Sequence, residues 1–168
     1  ISIENDAFNN CSKLNIFNLP NNLKNIGDNA FFNCGNIEEN GNKILSIPNS
    51  VNTIGTSCFS KSGIGGLEIS EDSELEIISD RAFSECFGMT SLMIPNNVKT
   101  IGENAFFWCS DLTSVTIGSG VELIGKNAFS RCNRLKDVSA LAMTPIVCEN
   151  NIFDMEKFEE VTLYVSEG

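Results

Sequence analysis

The apolar positions of this chain recur in phrases. "GDNAFFNC" at Gly27 to Cys34 returns as "GENAFFWC" at Gly102 to Cys109 and as "GKNAFSRC" at Gly125 to Cys132. With the Phe of each phrase as a marker, the series runs Phe8, Phe31, Phe59, Phe83, Phe106, Phe129, Phe153, in steps of 23, 28, 24, 23, 23 and 24. A period of this size predicts a solenoid, because one coil cannot bury its own apolar face and must stack on its neighbours. Five residues before the markers stand Ile3, Ile26, Ile54, Ile78, Ile101 and Ile124, and eight before them Leu23, Val51, Leu75, Val98 and Val121. These columns predict inward-facing ladders, as does the Ala directly before most markers. Four before the marker come Gly27, Gly55, Gly102 and Gly125, where a corner needs either positive φ or close approach of two backbones; Ser79 interrupts the column.

After each marker the pattern changes to a period of two. In "LTSVTI", Val115 and Ile117 flank Thr116, the alternation of a half-buried strand. The counterparts are Phe17 and Leu19, Leu45 and Ile47, Leu67 and Ile69, Leu92 and Ile94, and Val161 and Leu163. Each coil reads as a strand, a Pro or Gly turn ("IPNN", "IPNS", "IGSG"), a second extended piece such as "VKTI", and a short helical turn around "ENAF". The expectation is an α/β solenoid of about six to seven coils with a parallel sheet and every marker Phe buried. The step of 28 predicts a loop inserted near "EENGNK".

"IPNNVKTIGENAFFWC" and "LTSVTIGSGVELIGKNAFSRC" resemble the BspA-type leucine-rich repeat, whose unit of about 23 residues carries an Ile-Gly-x-x-Ala-Phe-x-x-Cys signature. The resemblance covers nearly the whole chain. It is strongest through Ile94 to Leu135 and weakest in the last coil, where Glu149 stands in the Gly column and Ile152 in the Ala column. It implies a right-handed leucine-rich-repeat solenoid displayed on the surface of host-associated bacteria or some protists, with adhesive or ligand-binding roles. Residues 1–168 are expected to form one repeat domain, a fragment of a longer surface protein, since the first residue is Ile1 and no signal-like block precedes the first coil.

Charge narrows the partners. Eleven basic and 22 acidic residues give a formal charge of -11, which argues against a nucleic-acid groove or an anionic membrane surface, both of which need clustered Lys and Arg. No apolar run approaches the roughly 20 residues of a spanning helix, so membrane insertion is not expected.

Seven cysteines and no histidine invite a metal or redox reading. Cys11, Cys34, Cys86, Cys109 and Cys132 lie three residues after their markers, with Ser62 in that slot of the third coil; Cys58 takes an Ala position and Cys148 an Ile position. All seven therefore read as small buried hydrophobes. A zinc site needs clustered ligands, usually Cys-x-x-Cys, and the sequence has none. Equivalent side chains on adjacent rungs point the same way, so their Cβ vectors do not converge and thiols are expected rather than disulfides. No metal or cofactor is expected.

Without histidine there is no Ser-His or Cys-His nucleophile pair, and catalysis is not expected. Glu71, Asp72, Glu74, Glu76 and Asp80 make an acidic stretch that reads as a solvated turn; a calcium contact is the alternative, without the spacing of an EF-hand loop.

Two functions remain. One is a monomeric binding module that presents its sheet to a host or matrix protein or glycan. The other is a spacer that holds another domain away from the cell envelope. A spacer should carry uniformly polar outward columns. The outward strand positions are Ile16 and Asn18, Ile44 and Ser46, Gly66 and Glu68, Ser91 and Met93, Ser114 and Thr116, Asp137 and Ser139, and Glu160 and Thr162. Ile16, Ile44 and Met93 break the polar rule and favour binding, with Glu68, Met93, Thr116 and Ser139 as the central candidates. Trp108 is a further candidate on another face: other coils place Asn10, Asn33, Lys61, Glu85 or Arg131 in its column. An exposed tryptophan can anchor a protein or a sugar, whereas a structural one would fold back over neighbouring coils.

Overall fold

The computed structural model describes residues 1–14, 18–35 and 44–153, and the backbone of 162–165. Its strands are short and all parallel. In chain order they are β1 (Ser2–Ile3), β2 (Asn25–Ile26), β3 (Ile44–Ile47), β4 (Thr53–Ile54), β5 (Gly66–Ile69), β6 (Ile77–Ile78), β7 (Ser91–Ile94), β8 (Thr100–Ile101), β9 (Ser114–Ile117), β10 (Leu123–Ile124), β11 (Asp137–Ala140), β12 (Val147–Cys148) and β13 (Thr162–Val165). Each of the five coils from β3 to β12 thus contributes one four-residue and one two-residue strand, so the solenoid has two strand faces. The two-residue strands form one continuous ladder, β1-β2-β4-β6-β8-β10-β12. The loop expected near "EENGNK" and the strand expected around Phe17 lie on residues 36–43 and 15–17, outside the described residues.

The long-strand ladder has a seam. β7, β9, β11 and β13 pair in order, and β3 pairs with β5, but β5 does not hydrogen-bond to β7. Chain length explains it: β7, β9 and β11 begin eight residues after their markers and β5 begins seven after Phe59. β5 keeps the pleat of β7 all the same, with Leu67 and Ile69 buried as Leu92 and Ile94 are.

The columns read from the sequence form the core. Leu23, Val51, Leu75, Val98 and Val121 are buried, as are Ile26, Ile54, Ile78, Ile101 and Ile124. The marker rings stack face over face from Phe8 to Phe153, with centroids 5.1–5.8 Å apart and planes within 18°. Phe31, Phe59, Phe83, Phe106 and Phe129 are buried, but Phe8 is 38% exposed and Phe153 half-buried. The expectation that every marker is buried is not met at Phe8 and Phe153, the first and last rings of the described stack.

The segment around "ENAF" is not helical. It is three overlapping β-turns, closed in the fifth coil by Ala105 N–H to Gly102 O (3.3 Å), Phe107 N–H to Asn104 O (3.0 Å) and Cys109 N–H to Phe106 O (3.3 Å). The intervening amides bond to the next coil: Asn104 N–H to Lys126 O, Phe106 N–H to Ala128 O and Trp108 N–H to Ser130 O, at 2.8–2.9 Å. Alternate amides bond within a coil and between coils, so this tight corner leaves no buried N–H orphaned. The geometry sets left-handed residues two before and two after the marker, with φ of 52–61°; Asn10, Asn29, Asn33, Asn104, Asn127 and Asn151 fill six of these positions and Asp6, Ser57, Lys61, Arg81, Glu85, Trp108 and Arg131 the other seven among the described residues. Asn is among the few residues that tolerate this region, and its recurrence in "NAF" is the signal for turns over helix.

The glycine column answers to close approach. A Cβ at Gly102 would lie 2.7 Å from the backbone nitrogen of Asp80, and one at Gly125 would lie 2.7 Å from that of Glu103. Ser79 is accommodated where β4 and β6 meet at the single pair Ile54↔Ile78 rather than two.

Candidate binding faces

The long-strand face is built by alternation. In β7 and β3 exposed and buried residues alternate strictly, so Leu92 and Ile94 enter the core while Ser91 and Met93 face out. Register then aligns the predicted residues: Met93 pairs with Thr116 and Thr116 with Ser139 on three hydrogen-bonded strands. Met93 is 56% exposed. Glu68 is exposed and pairs with Ser46, but on the far side of the seam. The structure thus brings together three of the four candidates and sets Glu68 on the adjoining strand. Ile44, exposed on β3, lies with Glu68; Ile16 and Glu160 lie outside the described residues.

Trp108 sits at the left-handed turn corner with φ of 57°. Phe87 meets its ring edge-on at 5.7 Å, and the Arg131 guanidinium lies over it at 5.5 Å. The ring is therefore partly folded over its neighbours, yet remains 38% exposed. Lys61 over Phe32 and Arg131 over Phe107 continue this aromatic–cation edge.

The cysteine column has a hydrogen-bonding reason. Each thiol donates to the marker carbonyl of the preceding coil: Cys34 to Phe8 O, Cys86 to Phe59 O, Cys109 to Phe83 O and Cys132 to Phe106 O, at 2.8–3.3 Å. Ser62 makes the same bond to Phe31 O at 2.7 Å, which is why serine can replace cysteine there. None of the seven cysteines is in a disulfide. Burial pushes the Cys34 thiol up to about 11 and that of Cys86 to about 12, and raises Cys58 and Cys109 by the same cause, so these thiols stay neutral donors at physiological pH. Two cysteines depart from the expectation of burial: Cys11 and Cys148 are exposed, both in the end coils. Iodoacetamide should label Cys11 and Cys148 in the native protein and the other five only after unfolding. Native-state modification of Cys86 or Cys109 in a mass spectrum would contradict the ladder.

The acidic stretch serves the coil stack. Glu71 accepts the Asn96 amide at 3.1 Å, Asp80 accepts that of Glu103 at 2.8 Å, and Glu74 pairs with Lys24 at 2.9 Å. Among the described residues no group of three or more His, Cys, Asp or Glu is placed to hold a metal ion, and no helix is long and apolar enough to cross a membrane.

Sequence reasoning missed the outward column of the short-strand ladder. It runs Ser2, Asn25, Thr53 and then Ile77, Thr100, Leu123, Val147, each set in register and the two joined through the pair Ile54↔Ile78. Six residues before each marker was the signal, hidden because only the longer strand was read for its outward positions.

The family model for the BspA type leucine rich repeat region matches residues 1–72 and 38–159, in 6 copies. The chain belongs to this family. The match describes a repeat region and indicates no enzymatic family. Among solved structures, the leucine-rich repeat protein of T. pallidum is similar at 24% identity with a TM-score of 0.60, over 88% of this chain and 66% of that one. The pneumococcal vaccine antigen PcpA is similar at 18% identity and a TM-score of 0.55, over 99% of this chain and 72% of that one. These likenesses establish the parallel solenoid fold. No curated protein matches the chain.

Proposed function

We propose that this BspA-type solenoid is a surface-displayed, non-catalytic binding module that holds a host or matrix protein or glycan along its long-strand face. The observation that carries the reading is the registered column Met93, Thr116 and Ser139, in which an unbranched, apolar side chain stands in solvent beside two hydroxyls. A thioether is adaptable and adds apolar contact, and hydroxyls one rung apart offer hydrogen bonds at a regular spacing that a long partner can follow. Membership of a repeat family fits a scaffold whose affinity is spread over several coils. Display at the cell surface is in keeping with one of the similar structures being a vaccine antigen.

Ser46, Ser91, Ser114 and Asp137 favour the second reading, a spacer, because small polar outward residues are what an inert rod would carry. Immobilised extracellular-matrix proteins and a glycan array separate the two. Saturable capture of the chain, at levels well above a control protein of equal charge, supports the module; uniform absence of capture supports the spacer.

A further inference from the structure

We propose that the short-strand face is a second docking surface, and that its occupant is a cationic amphipathic helix laid along the solenoid axis over Ile77, Leu123 and Val147. The column changes character half-way. In the first coils it is polar and satisfies itself: Asn25 donates to Ser2 at 3.2 Å and Thr53 to Asn25 at 2.7 Å. From the fourth coil three of its four residues are apolar, with Ile77 52% and Val147 64% exposed, Leu123 half-buried, and Thr100 between Ile77 and Leu123. Strand propensity alone does not account for this. Thr53 and Thr100 hold the same position with a β-branched side chain and no exposed hydrocarbon of that size, so threonine would suffice structurally.

Charge defines the partner. Glu76, Asp80, Glu122 and Glu149 are exposed in the columns beside the apolar stripe, with Glu103 half-exposed among them. Of the lysines on the same flank, Lys99 reaches Glu122 at 4.0 Å and Lys126 is exposed, leaving the rim acidic. A groove beside Ile77 is lined by Asn52, Thr53, Glu74, Glu76 and Ser79, offering carboxylates next to an apolar residue. An apolar stripe with an acidic rim matches an apolar stripe with a basic rim.

Spacing defines its conformation. Rungs of a parallel sheet lie about 4.8 Å apart, so the three steps from Ile77 to Val147 span about 14 Å. A helix presents one face every turn of about 5.4 Å and drifts by about 2 Å over three turns. An extended strand presents one face every ~6.7 Å and drifts by about 6 Å. A helix lying along the axis therefore keeps one apolar side chain on each rung, and a strand does not.

The test uses a fluorescent 18-residue helical peptide with leucines on one stripe and lysines on both flanks, titrated against the whole chain by anisotropy. Two controls are the same residues scrambled so that the stripe is lost, and a version with glutamate in place of lysine. Ile77→Thr with Val147→Thr uses the residue that other coils already place in this column, so the fold is kept, and an unchanged melting curve verifies it. Saturable binding of the striped cationic peptide is expected, at least tenfold weaker for both controls and for the double threonine variant. Met93→Lys with Thr116→Lys, on the other face, should bind it like wild type. No saturable binding, equal binding of the scrambled peptide, an unaffected double threonine variant, or loss in the Met93/Thr116 variant would each overturn the proposal.

Discussion

Phe106→Ala should cost about 3 to 5 kcal/mol of stability, the range for emptying a large buried aromatic site. Phe106 is fully buried at the centre of the stack, with Phe83 at 5.6 Å on one side and Phe129 at 5.4 Å on the other. Those rings cannot move into the vacated volume, because Phe83 N–H is bonded to Ala105 O at 2.9 Å and Phe106 N–H to Ala128 O at 2.9 Å, which fixes the spacing of the coils. The cavity therefore persists and its full cost is felt. The same change at Phe8 should cost far less, since that ring is open on one side. Urea unfolding of the two variants checks the contrast; a loss below about 1 kcal/mol at Phe106 would remove the stack from the core.

Gly102→Ala should destabilise by about 2 to 3 kcal/mol although it adds one methyl group, the upper part of the range for overpacking. The new Cβ would stand 2.7 Å from Asp80 N and 2.8 Å from Ser79 C, both backbone atoms of the preceding coil. No rotamer can relieve that contact. The coils would have to part at β6 and β8, losing the bond from Gly102 N–H to Ile78 O at 2.8 Å. Ser79→Gly is the control and should be nearly neutral or slightly stabilising, because β4 and β6 are already paired at one residue only. Equal stability of Gly102→Ala and wild type would show that the column is conserved in this chain for some cause other than proximity.

The repeat was legible because each column has one physical duty in every coil. Ile101 and Val98 fill the same site as Ile78 and Leu75 one rung away, so the period exposes the core, and the alternation in "SVTI" exposes the outward residues Ser114 and Thr116. What stayed hidden depends on hydrogen bonds between coils. The recurring Asn of "NAF" was the one local sign of turns over a helical turn, and the rest lies in the amide of Phe106 reaching Ala128 in the next coil. The exposure of Cys11, Cys148 and Phe8 follows from position along the stack, which a column taken residue by residue does not show. The seam between β5 and β7 was readable as a missing residue after Phe59, and it explains why Glu68 is set apart from Met93. The short-strand face was missed because two residues are too few to show alternation.

We propose that β7, β9 and β11, paired in register, present one binding surface on the long-strand face, and a comparison of three forms of the chain tests it. Adhesion of wild type, of Met93→Lys with Thr116→Lys, and of Trp108→Ala is measured on whichever matrix protein or glycan captures the wild-type chain. Both substitutions in the double variant stand on the outward side of β7 and β9, so stability should stay within about 0.5 kcal/mol. The double variant should lose adhesion at least tenfold, and Trp108→Ala, whose ring is partly occupied by Phe87 and Arg131, should lose much less. A double variant that adheres like wild type while Trp108→Ala fails would move the site to the turn corner and contradict the claim.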